Sequence, residues 1–181
     1  MSLSAIVLLG LLVDSASPKQ QRDLAALQAV IESMCTMTWP GETLLKDKTE
    51  SPLVENFLEG FDTEISRDLT KRGGPQKQIP TKFGCPAIRV ASAARIDAAF
   101  DRASLDGSLS ADPKSWPLRK DFPRAERIVT LSLPGFSTKG DLAFVVKSTN
   151  CPGLCGGDDL YMLQLRRGQW IVRRIIPISV S

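Results

Sequence analysis

Apolar positions recur at helical spacing in the first two thirds of the chain and at a spacing of two from Arg127 onward. Leu24, Leu27, Ile31 and Met34 mark one face of a helix over 19–35, with Gln and Arg opposite, and Trp39-Pro40-Gly41 ends it. Ser51-Pro52 reads as an N-cap followed by proline at the first helical position, so a second helix is expected to open there. Its stripe is Val54, Phe57, Leu58, Phe61, Ile65 and Leu69. Its acids come early (Glu55, Glu59) and its bases late (Lys71, Arg72), as the helix dipole favours, and Gly73-Gly74-Pro75 stops it. Ile88 and Val90 alternating with Arg89 predict a short strand over 87–91, and Ile96, Ala99 and Phe100 a short helix over 93–102. Residues 104–122 hold Gly107, Pro113 and Pro117 and read as a long surface loop, pinned to the body by Trp116.

Strand signals then follow at 127–133, 141–147, 160–166 and 169–176. They are joined by 134–140, by a cysteine-containing loop and by the tight Arg167-Gly168 turn. Short connections make consecutive strands antiparallel neighbours. The expectation is an α+β fold: N-terminal helices packed on a C-terminal antiparallel four-stranded meander, with a short added strand at 87–91.

A chain of 181 residues suits a single domain, here 18–181. Residues 5–13, A-I-V-L-L-G-L-L-V, are too few to span a bilayer but have the length of a signal-peptide core. Ser15, Ala16 and Ser17 follow, so 1–17 is read as a signal peptide, although Met1-Ser2-Leu3-Ser4 carries no base. With four cysteines in the chain, the expected location is periplasmic or secreted. Histidine is absent, which removes Ser-His-Asp and Cys-His nucleophile activation and histidine-based metal sites. A net charge of +3, without runs of like charge, argues against a nucleic-acid partner.

Cys151-Pro152-Gly153-Leu154-Cys155-Gly156-Gly157 reads as a stapled loop between strands. Four cysteines allow three pairings. The favoured one is Cys151 with Cys155, worth roughly 2 kcal/mol in the chain-entropy model, and Cys35 with Cys85, worth roughly 4 kcal/mol. A redox pair or a four-cysteine zinc site is disfavoured, because the 151–155 gap is three residues and strands follow it. No metal, cofactor or catalytic residue is assigned. Gly153, Gly156, Gly157, Asp158 and Asp159 form the candidate ligand or partner loop; the paired carboxylates are more often solvated turn residues than a general acid and base. Arg166, Arg167, Arg173 and Arg174 make either a patch for an acidic partner or, more commonly, a solvent face that blunts a sheet edge.

Within 127–172, Leu131, Ser132, Gly135 and Phe136 form an L-S-x-x-G-F segment, and Ala143, Val145 and Val146 an A-x-V-V strand. Cys151, Leu154, Cys155 and Gly156 follow, then Tyr161, Leu163 and a G-x-W-x-V hairpin of Gly168, Trp170 and Val172. This block resembles a recurrent domain of uncharacterised exported bacterial proteins, departing from it at Pro152, Asp158 and Asp159, where glycine is more usual. The resemblance implies fold and export and carries no activity. Three readings of function remain. The first is an exported binding or interaction domain for an envelope protein or peptide. The second is a hydrolase using Asp158 and Asp159 with Glu126 or Asp141. The third is a small-molecule or lipid carrier whose cavity is lined by Phe57, Phe61 and Leu163.

Overall fold

Glu42–Lys46, a segment with no alternating signature, is the strand on which the sheet is organised. The computed structural model describes residues 17–37, 41–52, 60–74, 76–80, 83–105, 115–152 and 155–180. Among these residues three helices, α1 (Pro18–Cys35), α2 (Thr63–Arg72) and α3 (Ala93–Leu105), accompany seven strands. The strands are β1 (Glu42–Lys46), β2 (Ile88–Ala91), β3 (Ala125–Leu131), β4 (Gly135–Phe136), β5 (Leu142–Asn150), β6 (Gly157–Arg166) and β7 (Gln169–Val180).

The sheet runs β2-β1-β3-β5-β6-β7, with β4 paired to β5 off this path. β1 is parallel to both β2 and β3, whereas β3, β5, β6 and β7 are antiparallel neighbours. The α+β class therefore stands, but the four-stranded antiparallel meander is corrected to a mixed sheet of seven strands. β1 escapes the periodicity analysis because its adjacent leucines serve opposite faces. Leu45 joins the α1 side and Leu44 the α3 side, so the strand carries no alternation to read.

Helices cover both faces rather than one. On the first face Ala26, Leu27, Val30, Ile31 and Met34 of α1 pack on Leu45, Val129, Val145, Tyr161 and Leu163. On the second, Ile96 and Ala99 of α3 pack with Trp116, Leu118 and Phe122 on Leu44 and Ile128. Ile65 and Leu69 of α2 cover Phe144, Val146 and Leu160 on the same second face. Trp116 is buried, and Pro117–Lys120 forms a short 3-10 turn within what the sequence suggests is loop.

The second predicted helix starts later than expected. Asp62, not Ser51, is the N-cap, its carboxylate accepting from the Glu64 and Ile65 N–H groups at 3.0 and 3.2 Å. Gly60 has φ +102°, a left-handed conformation that a helix cannot pass through. The Ser51 hydroxyl instead donates to the Gly73 carbonyl at the other end of α2. Val54, Phe57 and Leu58 lie outside the described residues, as do residues 1–16 of the expected signal peptide.

Two ties hold the layers together. Arg72 at the end of α2 donates from Nη2 to both carboxylate oxygens of Asp23 on α1, at 2.6 and 2.7 Å, and from Nη1 to the Pro134 carbonyl. The Cys35–Cys85 disulfide, Cα–Cα 5.6 Å, joins the C-terminal end of α1 to the segment entering β2. α2 in turn sits directly on β4. A Cβ at Gly135 would lie 2.6 Å from Leu69 Cβ and 2.7 Å from the Ile65 carbonyl oxygen, so only glycine admits this approach. Gly135→Ala is expected to cost about 1–3 kcal/mol by overpacking. Gly84→Ala, with nothing within 4 Å of its Cβ, serves as the near-neutral control in the same urea titrations.

Candidate functional site

The glycine and aspartate residues of the cysteine loop do not act as one group. Gly153 lies outside the described residues, and Gly156 precedes β6, which begins at Gly157. The Cys151–Cys155 disulfide, Cα–Cα 5.9 Å, clips the connection from β5, with Cys151 buried and Cys155 exposed. Asp158 and Asp159 are consecutive strand residues, so their side chains leave opposite faces of the sheet. That geometry does not permit a general acid–base pair. Asp141 accepts from the Ser137 hydroxyl at 2.9 Å, and Glu126 lies 3.8 Å from Arg119, so neither acid is grouped with Asp158.

Asp159 is engaged on the α1 side. Its carboxylate lies 2.6 Å from Nζ of Lys147, the residue opposite it on β5, whose side chain is only 4% exposed. Asp159 thus compensates a buried ammonium. Beside them is Tyr161, fully buried, with no hydrogen-bond partner for its hydroxyl among the described residues. Burial, and secondarily the charge of Asp159, raises its pKa well above the usual tyrosine range.

Asp158 faces the other way, into a cleft of about 630 Å³ on the second face. Its floor is a polar row in register across four strands. Thr130 on β3 stands opposite Ser148 on β5, Ser148 opposite Asp158 on β6, and Asp158 opposite Ser179 on β7. At the usual inter-strand spacing the row is about 14 Å long. Ser179 donates to Asp158 Oδ2 at 2.7 Å and accepts from the Asp158 N–H at 3.1 Å, fixing that end. Ser132 is spent structurally: its hydroxyl accepts from the Val146 N–H at 2.9 Å and donates to the Leu133 carbonyl at 3.0 Å.

The opposite end is anchored by Lys46, the last residue of β1. Its ammonium meets Glu50 at 2.6 Å and Asp97 of α3 at 2.7 Å. Burial alone would lower the Lys46 pKa, but hydrogen bonds and charge from Asp97 and Glu50 outweigh it and the value is raised. Phe100 and Asp101 on α3 continue the wall, and Ser51 and Pro52 line the rim. Glu50, Asp97, Asp101 and Asp158 set four carboxylates against the single ammonium of Lys46 among the described lining residues. They do not gather into a metal-binding cluster, and no group of three His, Cys, Asp or Glu able to hold an ion occurs among the described residues.

The cavity named for a carrier is not formed as expected. Phe57 is outside the described residues, and Phe61 and Leu163 belong to clusters on opposite faces of the sheet. Apart from Gly157 and Asp158, the cleft residues carry no shared local signature, because they come from six separate elements. The available signal was polar Thr130 between Val129 and Leu131 on β3, and Ser148 two residues beyond Val146 on the same face of β5.

Asp159→Asn leaves the Lys147 ammonium without this carboxylate. It is expected to destabilise the fold by about 2–4 kcal/mol in denaturant titrations, with most of the loss recovered when Lys147→Met is added. The alkaline limb of stability follows from Tyr161. The folded state holds the phenol proton more tightly, so stability is level up to about pH 10, the ordinary tyrosine value, and falls above it. As the chain has one tyrosine, ultraviolet absorbance of the phenolate reads this group alone, and Tyr161→Phe should remove the fall it contributes. The chain matches no protein-family model, no curated protein and no solved structure.

Proposed function

We propose that this chain is an exported, disulfide-clipped binding domain, and that the cleft between α3 and the sheet receives a short basic peptide segment. The observation that carries the reading is the polar row Thr130-Ser148-Asp158-Ser179 under an excess of carboxylates. The hydroxyls of Thr130 and Ser148, at strand spacing, offer both donors and acceptors to an extended backbone, each able to exchange partners by rotating. The surrounding acids set the sign of the ligand: a lysine or arginine side chain entering beside Asp101 or Asp158 gains a charge-assisted hydrogen bond. A row of about 14 Å matches four or five extended residues, at roughly 3.3 Å each.

Export is supported by the two disulfides, which persist in oxidising compartments. No helix among the described residues is long and apolar enough to cross a membrane. A binding role fits better than a hydrolytic one because the acids proposed for hydrolysis are distributed over different surfaces, Asp159 being committed to Lys147.

The test is fluorescence polarisation with a labelled trilysine peptide and its triglutamate counterpart. Trilysine is expected to bind with an affinity that falls as salt is added, and triglutamate not to bind in the cleft. Ser148→Phe, which fills the floor without touching the Lys46 ion pairs, should weaken trilysine at least about tenfold. Unchanged binding by this variant would remove the cleft as the site.

A further inference from the structure

The outer edge of β7 and the arginines around it form a second surface, of opposite charge to the cleft. β7 ends the sheet, so its outward N–H and C=O groups have no strand beside them among the described residues. Arg166 and Arg167 sit at the β6–β7 turn, and Arg173 and Arg174 lie further along β7. All four are exposed, and among the described residues none meets a carboxylate. Of the four, the Arg166 guanidinium has a side-chain partner there, the amide oxygen of Gln164 at 2.9 Å. Elsewhere most guanidiniums are paired, as Arg72, Arg89, Arg95, Arg102, Arg119 and Arg124 are. The asymmetry marks this corner as one with charge to offer.

The same corner exposes apolar surface. Leu142, Gln164 and Ile171 stand in register across β5, β6 and β7, and Leu142 and Ile171 are 37% and 41% exposed. Two features limit how far along β7 another strand can pair. The register shifts between Met162 and Leu163, leaving Arg173 as the bulged residue, and Pro177 lacks an N–H. The accessible stretch is therefore short and flanked on both sides by guanidiniums.

We propose that the β7 edge docks an acidic extended peptide segment, which adds as a further strand beside 169–172. Its carboxylates would lie between the turn arginines and those of the bulge, and an apolar residue would cover Ile171. Backbone pairing supplies affinity and the alternate side chains supply selectivity. Charge selects against a second copy of this chain, because pairing two β7 edges would bring guanidiniums together.

Isothermal titration with the peptide Glu-Val-Glu-Val-Glu and its lysine counterpart tests this on the full chain. The acidic peptide is expected to bind, with affinity falling as salt rises, and the lysine peptide to be ignored by this edge. Arg173→Glu with Arg174→Glu, both exposed positions that leave the core untouched, should weaken the acidic peptide at least about tenfold. Ser148→Phe should leave it unchanged, which separates this site from the cleft. An acidic peptide N-methylated at alternate residues that bound as tightly as its parent would overturn strand addition. So would retained affinity in the double arginine variant. Binding to phosphatidylglycerol vesicles without binding to the peptide would overturn the proposal in favour of a membrane surface, and dimerisation through β7 in sedimentation would overturn it in favour of self-pairing.

Discussion

Insertion of β1 between β2 and β3 places the centre of the sheet under helices on both sides, and most of the structure follows from that burial. A strand covered on two faces has nowhere to leave a polar side chain unpartnered without cost. β5 illustrates the response. Ala143 and Val145 serve the α1 core, Phe144 and Val146 serve the α2 core, and Lys147, enclosed at the next position, is met by the carboxylate of its cross-strand neighbour Asp159. Ser132 satisfies itself between Val146 and Leu133, closing the gap where β3 and β5 begin to part. Tyr161 is an exception, its hydroxyl enclosed without a hydrogen bond among the described residues.

The layers depend on one another through a few contacts at the periphery. Arg72 reaches from α2 to Asp23 on α1, with both side chains about nine-tenths buried, and its guanidinium lies 5.2 Å from the Phe136 ring centroid. Arg22 lies over the same ring at 4.0 Å. Phe136, tilted against Trp170 at 5.5 Å, thus sits where the two helices, β4 and β7 converge. The Cys35–Cys85 bridge secures the other end of α1, next to the parallel half of the sheet. Parallel strands depend on long crossovers, and a cross-link there limits the entropy of the chain that must close.

Where the two helices on the second face leave the sheet uncovered, the floor becomes polar, and this is the cleft. Its carboxylates and the exposed arginines of the β6–β7 hairpin divide the molecule into an acidic concavity and a basic edge, although the net charge of the chain is only +3. Overall charge therefore said little about partners. The distribution, set by which strand ends at an edge and which passes under α3, says more.

Local patterns in the sequence determined what local physics controls. The spacing of Leu27, Ile31 and Met34 was enough for α1, Ile96 and Ala99 for α3, and the period-two stretches for β3, β5, β6 and β7, while β4 falls in what reads as the 134–140 connection. A strand starting at residue 160 places Asp158 and Asp159 together in a loop; the observed start at Gly157 sends them to opposite faces. Other features had no local trace. β1 lacks alternation because both its faces are buried, and the start of α2 depends on Gly60 and Asp62 breaking a stripe that otherwise runs on. The cleft was decided by the tertiary structure alone. Strand register brings Thr130, Ser148, Asp158 and Ser179 into one line, and such alignment depends on pairings between residues far apart in the chain, which no short window of sequence contains.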